Sequence, residues 1–298
     1  SEQICMKYLS DQIVYYHINN SGAGHARNVG INYSRGEWII FLDSDDLILG
    51  GFFNNNLFLY LKKCKEKLID IIYTPKIECN MKLTEDFRIE YPENKNEIEY
   101  FLPKLEFWTC IYNSNFLKKK NIRFFEYKKQ DIETAFRFRA FSNTQNILID
   151  KRRIFYIHRN NPTSNINTLN FYNYFEIKGL VYYDLFSEFN DHESNTSVWL
   201  YTQYLYYMKQ MLVRCLQLGG TDENLNQLKN LILKIKNKSK KIPIKKLSFK
   251  YKLFYYFVHL LCVTSFFHVY SFYVKKRKRI DLKKRNIGKQ NKDDIEKI

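Results

Sequence analysis

Three carboxylates within four positions, Asp43, Asp45 and Asp46, are the part of the sequence best suited to chemistry. Hard cations such as Mg²⁺ and Mn²⁺ prefer oxygen ligands, and a bound cation would relieve the repulsion between neighbouring carboxylates. Short Asp/Ser clusters also form turns and helix N-caps, which is the alternative interpretation. The spacing therefore indicates either a divalent-metal site or a turn, and the neighbouring segments bear on the choice.

A buried strand is predicted directly before these carboxylates. Trp38–Leu42 is an unbroken apolar run with aromatic and β-branched members, which is typical of a strand buried on both faces of a parallel sheet. Open α/β sheets bind their ligands at the carboxyl ends of such strands. The predicted strand therefore places residues 43–46 where a ligand would bind.

A glycine-containing turn lies further upstream. Gly22 and Gly24 lie in the segment where a predicted strand, Ile13–Ile18, leads into a predicted helix that runs from about Ala23 to Ser34. Glycines let the backbone turn tightly and approach a ligand closely, and the N–H groups of the first helical turn can bind an anion. Arg27, one turn into the helix, either faces the same pocket or lies on the helix surface.

The two segments together, N-x-G-x-x-x-A-R-N-x-G over residues 20–30 and G-E-W-I-I-F-L-D-S-D-D over residues 36–46, resemble family 2 glycosyltransferases of the GT-A fold. In that family the D-x-D element holds a divalent cation on the diphosphate of a nucleotide sugar. The resemblance implies Mn²⁺ or Mg²⁺ as the cofactor, with Asp45 as the direct metal ligand and Asp43 near both the ribose and the metal. It also implies that Arg27 belongs to the nucleotide pocket, and it leaves the role of Asp46 open.

A candidate general base is Asp131, which follows Gln130 and precedes a predicted helix, Thr134–Phe141. The family has E-D at this place, so the resemblance implies that Asp131 takes the proton of the acceptor hydroxyl in an inverting transfer. The second candidate is Glu133. Without the resemblance, Asp131 is a helix N-cap or first-turn residue. Gln130 replaces the family's acidic neighbour, which bears on how the base is tuned.

A further family element is matched near residue 160. Residues 156–164 resemble the pattern Y-x-Y-R-x-x-x-x-S, with His158 where Tyr or His is usual, and Trp108 and Tyr112 match an earlier W-x-x-x-Y pattern. The resemblance implies that His158 contacts the metal or the diphosphate and that Arg159 neutralises phosphate. Isolated His and Arg residues in a loop are equally typical of structural or surface positions.

The predicted fold class is α/β. We expect a Rossmann-like GT-A sheet over residues 1–168, incomplete at its N-terminus, then a helical region over 169–237 and a basic, aromatic tail over 238–298. In the family two strands precede the helix predicted here at Glu2–Leu9, and neither is present in this chain. Because a sheet without two interior strands leaves backbone groups unpaired, we expect this chain alone to be poorly stable or inactive.

The formal net charge of +17 is confined to the last quarter of the chain, because residues 1–228 are neutral and residues 229–298 carry the whole excess. A neutral front part argues against a protein that grips nucleic acid throughout, and no nucleic-acid fold signature accompanies the tail. Leu253–Val274 carries no formal charge, is rich in aromatics and is followed by the basic cluster 275–279. This pattern predicts a helix in the interface of an anionic membrane, with a spanning helix or a core helix as alternatives.

Six cysteines without a C-x-x-C pair favour reduced thiols in the cytoplasm over a disulfide framework or a zinc site. The combined hypothesis is a transferase at the inner face of the membrane, which moves a sugar from a nucleotide-sugar donor, a UDP-sugar, to a glycan or glycolipid acceptor. The acceptor class is a bacterial surface glycan such as lipooligosaccharide, capsule or another lipid-linked saccharide. The alternatives are an inactive fragment of such an enzyme and a non-enzymatic basic protein that binds membranes or RNA.

Overall fold

The computed structural model describes residues 2–83, 88–90, 106–126, 132–160, 171–188, 194–217, 226 and 244–263. The chain divides into two compact units, Ser1–Asn167 and Thr168–Ile298. The first unit is a mixed α/β unit and the second is helical in its described part. Both the candidate metal site and Arg27 lie in the first unit.

The chain begins with a short helix, α1 (Glu2–Cys5), and a single 3₁₀ turn (Met6–Tyr8), close to the helix predicted there. The strand predicted at Ile13–Ile18 is wrong, because this stretch joins no sheet in the described part of the chain. A strand is stabilised by ladder hydrogen bonds and cross-strand contacts rather than by its own sequence. Ile13 and Val14 are exposed, so these apolar side chains do not contribute to the core.

The helix predicted after the glycine turn is confirmed as α2 (Ala23–Tyr33). Gly22 precedes it with a φ of 90°, a left-handed conformation that glycine adopts without a Cβ penalty. At the other end the backbone N–H of Ser34 donates to the carbonyl of Gly30 at 2.9 Å and closes the last turn. The sequence signals at both ends of this helix were therefore local and sufficient.

Eight strands form two four-stranded sheets in the described residues. They are β1 (Trp38–Ile40), β2 (Leu47–Ile48), β3 (Ile71–Tyr73), β4 (Lys76–Asn80), β5 (Arg88–Glu90), β6 (Cys110–Asn113), β7 (Ile147–Ile149) and β8 (Tyr156–Asn160). The first sheet has the order β1-β6-β3-β7 and the second has the order β2-β8-β4-β5. The pairs β3–β7 and β4–β8 are parallel and the other ladders are antiparallel.

The strand before the carboxylates differs from its prediction. β1 has three residues rather than five, and it pairs in antiparallel fashion with β6, with Ile39 opposite Tyr112. It lies at the edge of its sheet, not inside a parallel array. Phe41 is nevertheless buried, whereas Leu42 is exposed. The apolar run therefore reflects the burial of one face of the segment before Asp43. An uninterrupted apolar run does not specify which strands lie beside it.

Three helices pack on these sheets: α3 (Asn55–Glu66), α4 (Ser114–Lys119) and α5 (Ile132–Ser142). The first two begin with an asparagine N-cap. The side chain of Asn54 accepts from the N–H of Leu57 at 2.9 Å, and that of Asn113 accepts from Phe116 at 3.2 Å. Residues 107–109 form a 3₁₀ turn, and β6 begins directly after it at Cys110.

An aromatic cluster forms the centre of the core below the candidate site. The ring of Phe41 meets those of Phe107, Tyr112, Phe124 and Phe136 edge-on, with centroids 5.3 to 5.8 Å apart. Such edge-to-face pairs contribute about 0.5–1.5 kcal/mol each beyond the burial of their area. Phe41 lies two residues before Asp43, so the cluster fixes the point from which the carboxylate segment leaves the sheet.

The second unit contains three described helices: α6 (Phe171–Glu188), α7 (Asn195–Gln217) and α8 (Phe249–Val263). The first two pack through aromatic rings, for example Tyr182 on Tyr207 at 5.5 Å. The boundary predicted at 237/238 lies outside the described residues. In the part of the chain that the structure describes, no helix combines the length and apolar character needed to cross a membrane.

Candidate active site

The four residues Asp43 to Asp46 form a tight turn between β1 and β2. The backbone N–H of Asp46 donates to the carbonyl of Asp43 at 3.1 Å, so Ser44 and Asp45 stand at the tip. Asp43 and Asp45 are partly exposed there, whereas Asp46 is buried. The turn interpretation is thus correct for the backbone. Two of the three carboxylates are partly exposed and the third is buried.

Asp46 anchors the turn to β8. Its side chain, 2% exposed, lies 3.2 Å from Nδ1 of His158. It accepts hydrogen bonds from the hydroxyl of Tyr156 at 2.7 Å and from the backbone N–H of Arg159 at 2.8 Å. Tyr156 and His158 alternate along β8 and therefore face the same side of the strand. The Asp46 carboxylate thus contacts three residues of β8: Tyr156, His158 and Arg159.

The surroundings of this carboxylate shift two pKa values in opposite directions. Burial alone would raise the pKa of Asp46, but the hydrogen bonds from His158, Arg159 and Tyr156 outweigh it and hold the pKa below its ordinary value. The hydrogen bond to Asp46 raises the pKa of His158, although burial acts against it. The two shifts favour an imidazolium paired with a carboxylate at pH values between the lowered pKa of Asp46 and the raised pKa of His158.

This ion pair predicts how stability depends on pH. Because the folded-state pKa of His158 lies above its ordinary 6.5, its contribution is complete below that value and is lost as the pH rises through the raised pKa. The contribution of Asp46 is complete above its ordinary 3.8 and is lost as the pH falls through the lowered pKa. We expect the melting temperatures of the protein and of His158→Gln to differ most between about pH 4 and 6.

Thermal melts of both proteins in a chelator-containing buffer from pH 4 to 9 measure this difference. It should shrink as the pH rises above the raised pKa of His158. A difference that grows toward pH 9 would contradict the assignment of a protonated His158 paired with Asp46.

Two further contacts from β8 hold the backbone of the turn. Nε of Arg159 donates to the carbonyl of Asp45. The hydroxyl of Tyr156 accepts from the N–H of Asp43 at 3.3 Å while it donates to Asp46. The peptide groups of Asp43 and Asp45 are therefore fixed by β8 rather than by the turn itself. The family resemblance implied that Arg159 neutralises phosphate. In the structure its Nε donates a hydrogen bond to the main chain.

Trp108 covers the side of β8 that carries Tyr156 and His158. Its ring stacks on Tyr156 at 4.4 Å and on His158 at 5.0 Å. Behind it lies Lys76, whose Nζ is 2.6 Å from Glu78 and 2.8 Å from Glu106. Burial would lower the pKa of the Lys76 ammonium, but the two carboxylates raise it. The imidazole is thus held between an aromatic face and Asp46.

Arg27 of α2 reaches the other side of the turn. Its Nη2 lies 2.6 Å from Oδ1 of Asp43, and its Nη1 lies 3.8 Å from Oε1 of Glu133. The guanidinium also lies over the rings of Phe107 and Phe124, at 4.5 and 5.3 Å. Planar guanidinium groups suit this combination of a carboxylate and an aromatic face. In this state Arg27 orients Asp43 and links it to Glu133, the second base candidate.

Asn28 links the same helix to the segment before Asp131. Its side-chain amide donates to the carbonyl of Phe124 at 3.0 Å and accepts from the N–H of Phe124 at 2.9 Å. It also donates to Glu126 at 3.0 Å, and Glu126 lies 3.1 Å from Nδ1 of His25. This buried asparagine therefore fixes residues 124–126, immediately upstream of the stretch that contains the candidate base.

Replacing Asn28 with Ala should destabilise the protein by about 2–3 kcal/mol, because both backbone groups of Phe124 lose their partner in a buried setting. The measurement is chemical denaturation followed by far-UV circular dichroism. Asn56→Ala, a change at an exposed position in the first turn of α3, is the matched control and should be close to neutral. Equal destabilisation by the two changes would argue against this role of Asn28.

The structure brings together most of the residues that the sequence singled out. Arg27, Asp43, Asp45, His158 and Arg159 all lie around the turn at residues 43–46. Asp131 lies outside the described residues. His158 directs Nδ1 to Asp46.

Within the ranges that the structure describes, no three His, Cys, Asp or Glu side chains converge as a metal cage. Mg²⁺ commonly takes one or two carboxylates, with substrate phosphates and water completing its shell. The partly exposed carboxylates of Asp43 and Asp45 are a donor set of that kind. The residues present therefore fit a divalent cation that is bound together with a diphosphate.

Three residues of the site were not assigned a role from the sequence: Asp46, Tyr156 and Asn28. A usable signal existed for Tyr156, because alternate positions of a strand share a face and His158 was already a candidate. The partner of Asp46 lies more than 100 residues away in the sequence. Asn28 carries no signal beyond its place in the motif.

Comparison with known proteins adds the family. The sequence model of Glycosyl transferase family 2 matches residues 1–148, which include α2 and the turn at 43–46. Residues 1–148 belong to glycosyl transferase family 2. The recognition made from the two motifs is therefore confirmed over these residues.

Curated relatives match parts of the chain. The minor teichoic acid biosynthesis protein GgaB of Bacillus subtilis (strain 168) is 41% identical over 78 residues, which are 25% of this chain and 8% of GgaB. The uncharacterized glycosyltransferase EpsJ of the same organism is 24% identical over 163 residues, 50% of this chain and 45% of EpsJ. The chain thus spans less than half the length of these relatives.

Solved structures establish the fold of the chain. S. aureus TarS 1-349 in complex with UDP has a TM-score of 0.59 at 18% identity, covering 94% of this chain and 79% of TarS. The complex of TarS 1-349 with UDP-GlcNAc has a TM-score of 0.58 at 17% identity, with the same coverage. The predicted α/β fold of the GT-A type is therefore confirmed.

Proposed function

We propose that this protein is an inverting, metal-dependent glycosyltransferase that uses a UDP-sugar donor. The observation that carries the proposal is the turn at residues 43–46, which presents Asp43 and Asp45 while Asp46 locks it to β8. The UDP and UDP-GlcNAc complexes of TarS, a protein of the same fold, support the choice of donor. Family membership supports the reaction class.

Asp45 and Asp43 are the residues that would hold Mn²⁺ or Mg²⁺. When bound, such a cation supplies positive charge that stabilises the departing diphosphate. The protein's own residues prepare the site: Arg27 orients Asp43, and Tyr156 and Arg159 fix the peptide groups of the turn. Pre-organised groups of this kind need not rearrange when charge develops in the transition state.

The proton of the acceptor hydroxyl goes to a carboxylate. In an inverting transfer the acceptor oxygen attacks the anomeric carbon, the bond to the diphosphate breaks, and one base takes the proton. We assign this role to Asp131 by its place in the family motif. Glu133, two positions later, is held 3.8 Å from Arg27 on the side of the site that carries Asp43, and it remains the second candidate.

The proposed acceptor is a bacterial surface glycan, such as lipooligosaccharide, capsule or another lipid-linked saccharide. The name of GgaB places that relative in teichoic acid biosynthesis, which is chemistry of the same class of surface polymer. The link to this chain rests on a match over 25% of its length.

The direct test is donor binding and turnover by the purified protein. Isothermal titration with UDP and with a panel of UDP-sugars, in the presence and absence of EDTA, should show binding that requires the divalent cation. Release of UDP from the preferred UDP-sugar should follow the same requirement. Binding and turnover that are indifferent to EDTA would remove the metal role. Salt-dependent binding of RNA without any binding of nucleotide sugar would overturn the proposal as a whole.

A further inference from the structure

Helix α8 presents apolar side chains on two opposite faces. On the inner face, Tyr251 and Tyr255 are partly buried near Tyr206 and Tyr201 of α7, and burial raises the pKa of both α8 tyrosines. Leu247, just before the helix, is also buried. The packing of α8 on α7 therefore accounts for one face of the helix and leaves the other unexplained.

The opposite face is apolar and open to solvent. Phe249, Leu253 and Tyr256 are 81%, 61% and 59% exposed. With 3.6 residues per turn, the spacing i, i+4, i+7 places the three within about 60° of one another around the helix axis. We call these three residues the α8 outer face. Large apolar groups gathered in one stripe mark an interaction surface more often than scattered ones do.

Lysines border this stripe on both sides. Around the helix axis, Lys250 lies about 100° to one side of Phe249 and Lys252 about 60° to the other. Two more exposed lysines, Lys245 and Lys246, occupy the 3₁₀ turn just before α8. Lysine side chains at the edge of an apolar stripe can extend their ammonium groups to phosphate while their methylene stems stay in the apolar layer.

We propose that the α8 outer face binds the surface of an anionic phospholipid bilayer, with the helix lying in the plane of the interface. Phe, Leu and Tyr bordered by lysines is the composition of interfacial helices. The charge complements the lipid, because residues 229–298 carry the entire formal excess of +17. Each cation near an anionic surface adds to the attraction. The stripe and its charges favour lipid over a protein groove, which would need acidic groups matched to particular lysines.

The proposal places the protein at the cytoplasmic face of the membrane, because the cytoplasmic leaflet is the anionic one. It does not depend on the reaction assigned to the first unit, since it rests on α8, on the lysines before it and on the charge of residues 229–298. Vesicle binding and donor turnover can therefore succeed or fail separately.

The test is co-sedimentation of the purified protein with sucrose-loaded vesicles. We expect binding to vesicles of phosphatidylcholine with 30% phosphatidylglycerol, and much weaker binding to phosphatidylcholine alone. Raising NaCl from about 0.1 to 0.5 M should weaken binding, because the Debye length falls from about 10 Å to less than half of that. Equal binding to both vesicle types at both salt concentrations would overturn the electrostatic part of the proposal.

A matched pair of double variants tests the face itself. Phe249→Ser with Leu253→Ser should lower the partition coefficient on anionic vesicles by about tenfold or more, because two apolar side chains no longer enter the interface. The control is Phe58→Ser with Leu59→Ser in α3, the same two residue types with exposures of 60% and 61%. The control should bind as the unmodified protein does. Equal loss in both double variants, or no loss in the first, would overturn the proposal.

A substitution that keeps the face apolar makes the test independent of folding defects. In Phe249→Trp the added indole should shift its emission to shorter wavelength on anionic vesicles and should be quenched by brominated lipid. The unmodified protein, with its own tryptophans, supplies the baseline. An added signal that stays at the wavelength of exposed tryptophan and is not quenched would show that the α8 outer face does not enter the lipid.

Discussion

Replacing Asp45 with Asn is expected to lower the turnover of UDP-sugar by about 10²–10³-fold, the equivalent of about 3–4 kcal/mol of charge stabilisation. The melting temperature should stay unchanged. The reason lies in the geometry of the turn: Arg159 donates to the main-chain carbonyl of Asp45, which asparagine retains. The side chain stands at the partly exposed tip of the turn.

Three measurements on Asp45→Asn give the full result: release of UDP, affinity for UDP at saturating and at low Mn²⁺, and a thermal melt. The affinity should lose its dependence on the cation together with the rate. Glu66→Gln, a change at an exposed carboxylate on α3, is the control and should leave all three unchanged. Full turnover by Asp45→Asn would exclude this carboxylate as the metal ligand.

Replacing Asp46 with Asn should cost both stability and activity, although the side chains have nearly the same size. The carboxylate accepts from Tyr156, His158 and the N–H of Arg159, whereas an amide has a single acceptor oxygen and its NH₂ group would face donors. Removing one partner of a buried ion pair costs about 3–5 kcal/mol. For a unit of this size that corresponds to a fall in melting temperature of about 10 °C.

A milder change to the same network separates the contributions. Tyr156→Phe removes one hydrogen bond to Asp46 and should lower stability by about 1–2 kcal/mol. Differential scanning calorimetry and UDP release on Asp46→Asn and Tyr156→Phe should therefore give a graded series. Turnover should fall in the same order, because the turn that presents Asp43 and Asp45 loosens. A melt of Asp46→Asn that coincides with that of the unmodified protein would contradict the anchoring role.

Local signals in the sequence predicted the parts of the fold that depend on neighbouring residues. Helix α2, its glycine start and the turn at residues 43–46 follow from glycine, helix periodicity and Asp/Ser chemistry within a few positions. The strand predicted at Ile13–Ile18 failed because a ladder needs a partner that the segment itself does not contain. The parallel setting predicted for β1 failed for the same reason, since β6, the strand that pairs with it in the described part of the chain, comes more than 70 positions later.

The candidate site was likewise predictable from the sequence only in part. The motifs identified Arg27, Asp43 and Asp45, which lie near one another in the sequence. They could not show that Arg27 is paired with Asp43 and Glu133, or that Asp46 is buried against β8, because those contacts are set by packing. The role of Asp131 rests on the family motif and stays a prediction.

The turn at residues 43–46 has one hydrogen bond of its own, and β8 supplies the contacts that fix it. Its shape is therefore acquired only when chain segments more than 100 positions apart have met, a step that carries a loop-closure cost. During synthesis, a nascent polypeptide that does not yet include Tyr156 would contain residues 43–46 without the contacts that fix the geometry of the turn. Donor recognition would then begin only once the strand that completes the pocket has been made.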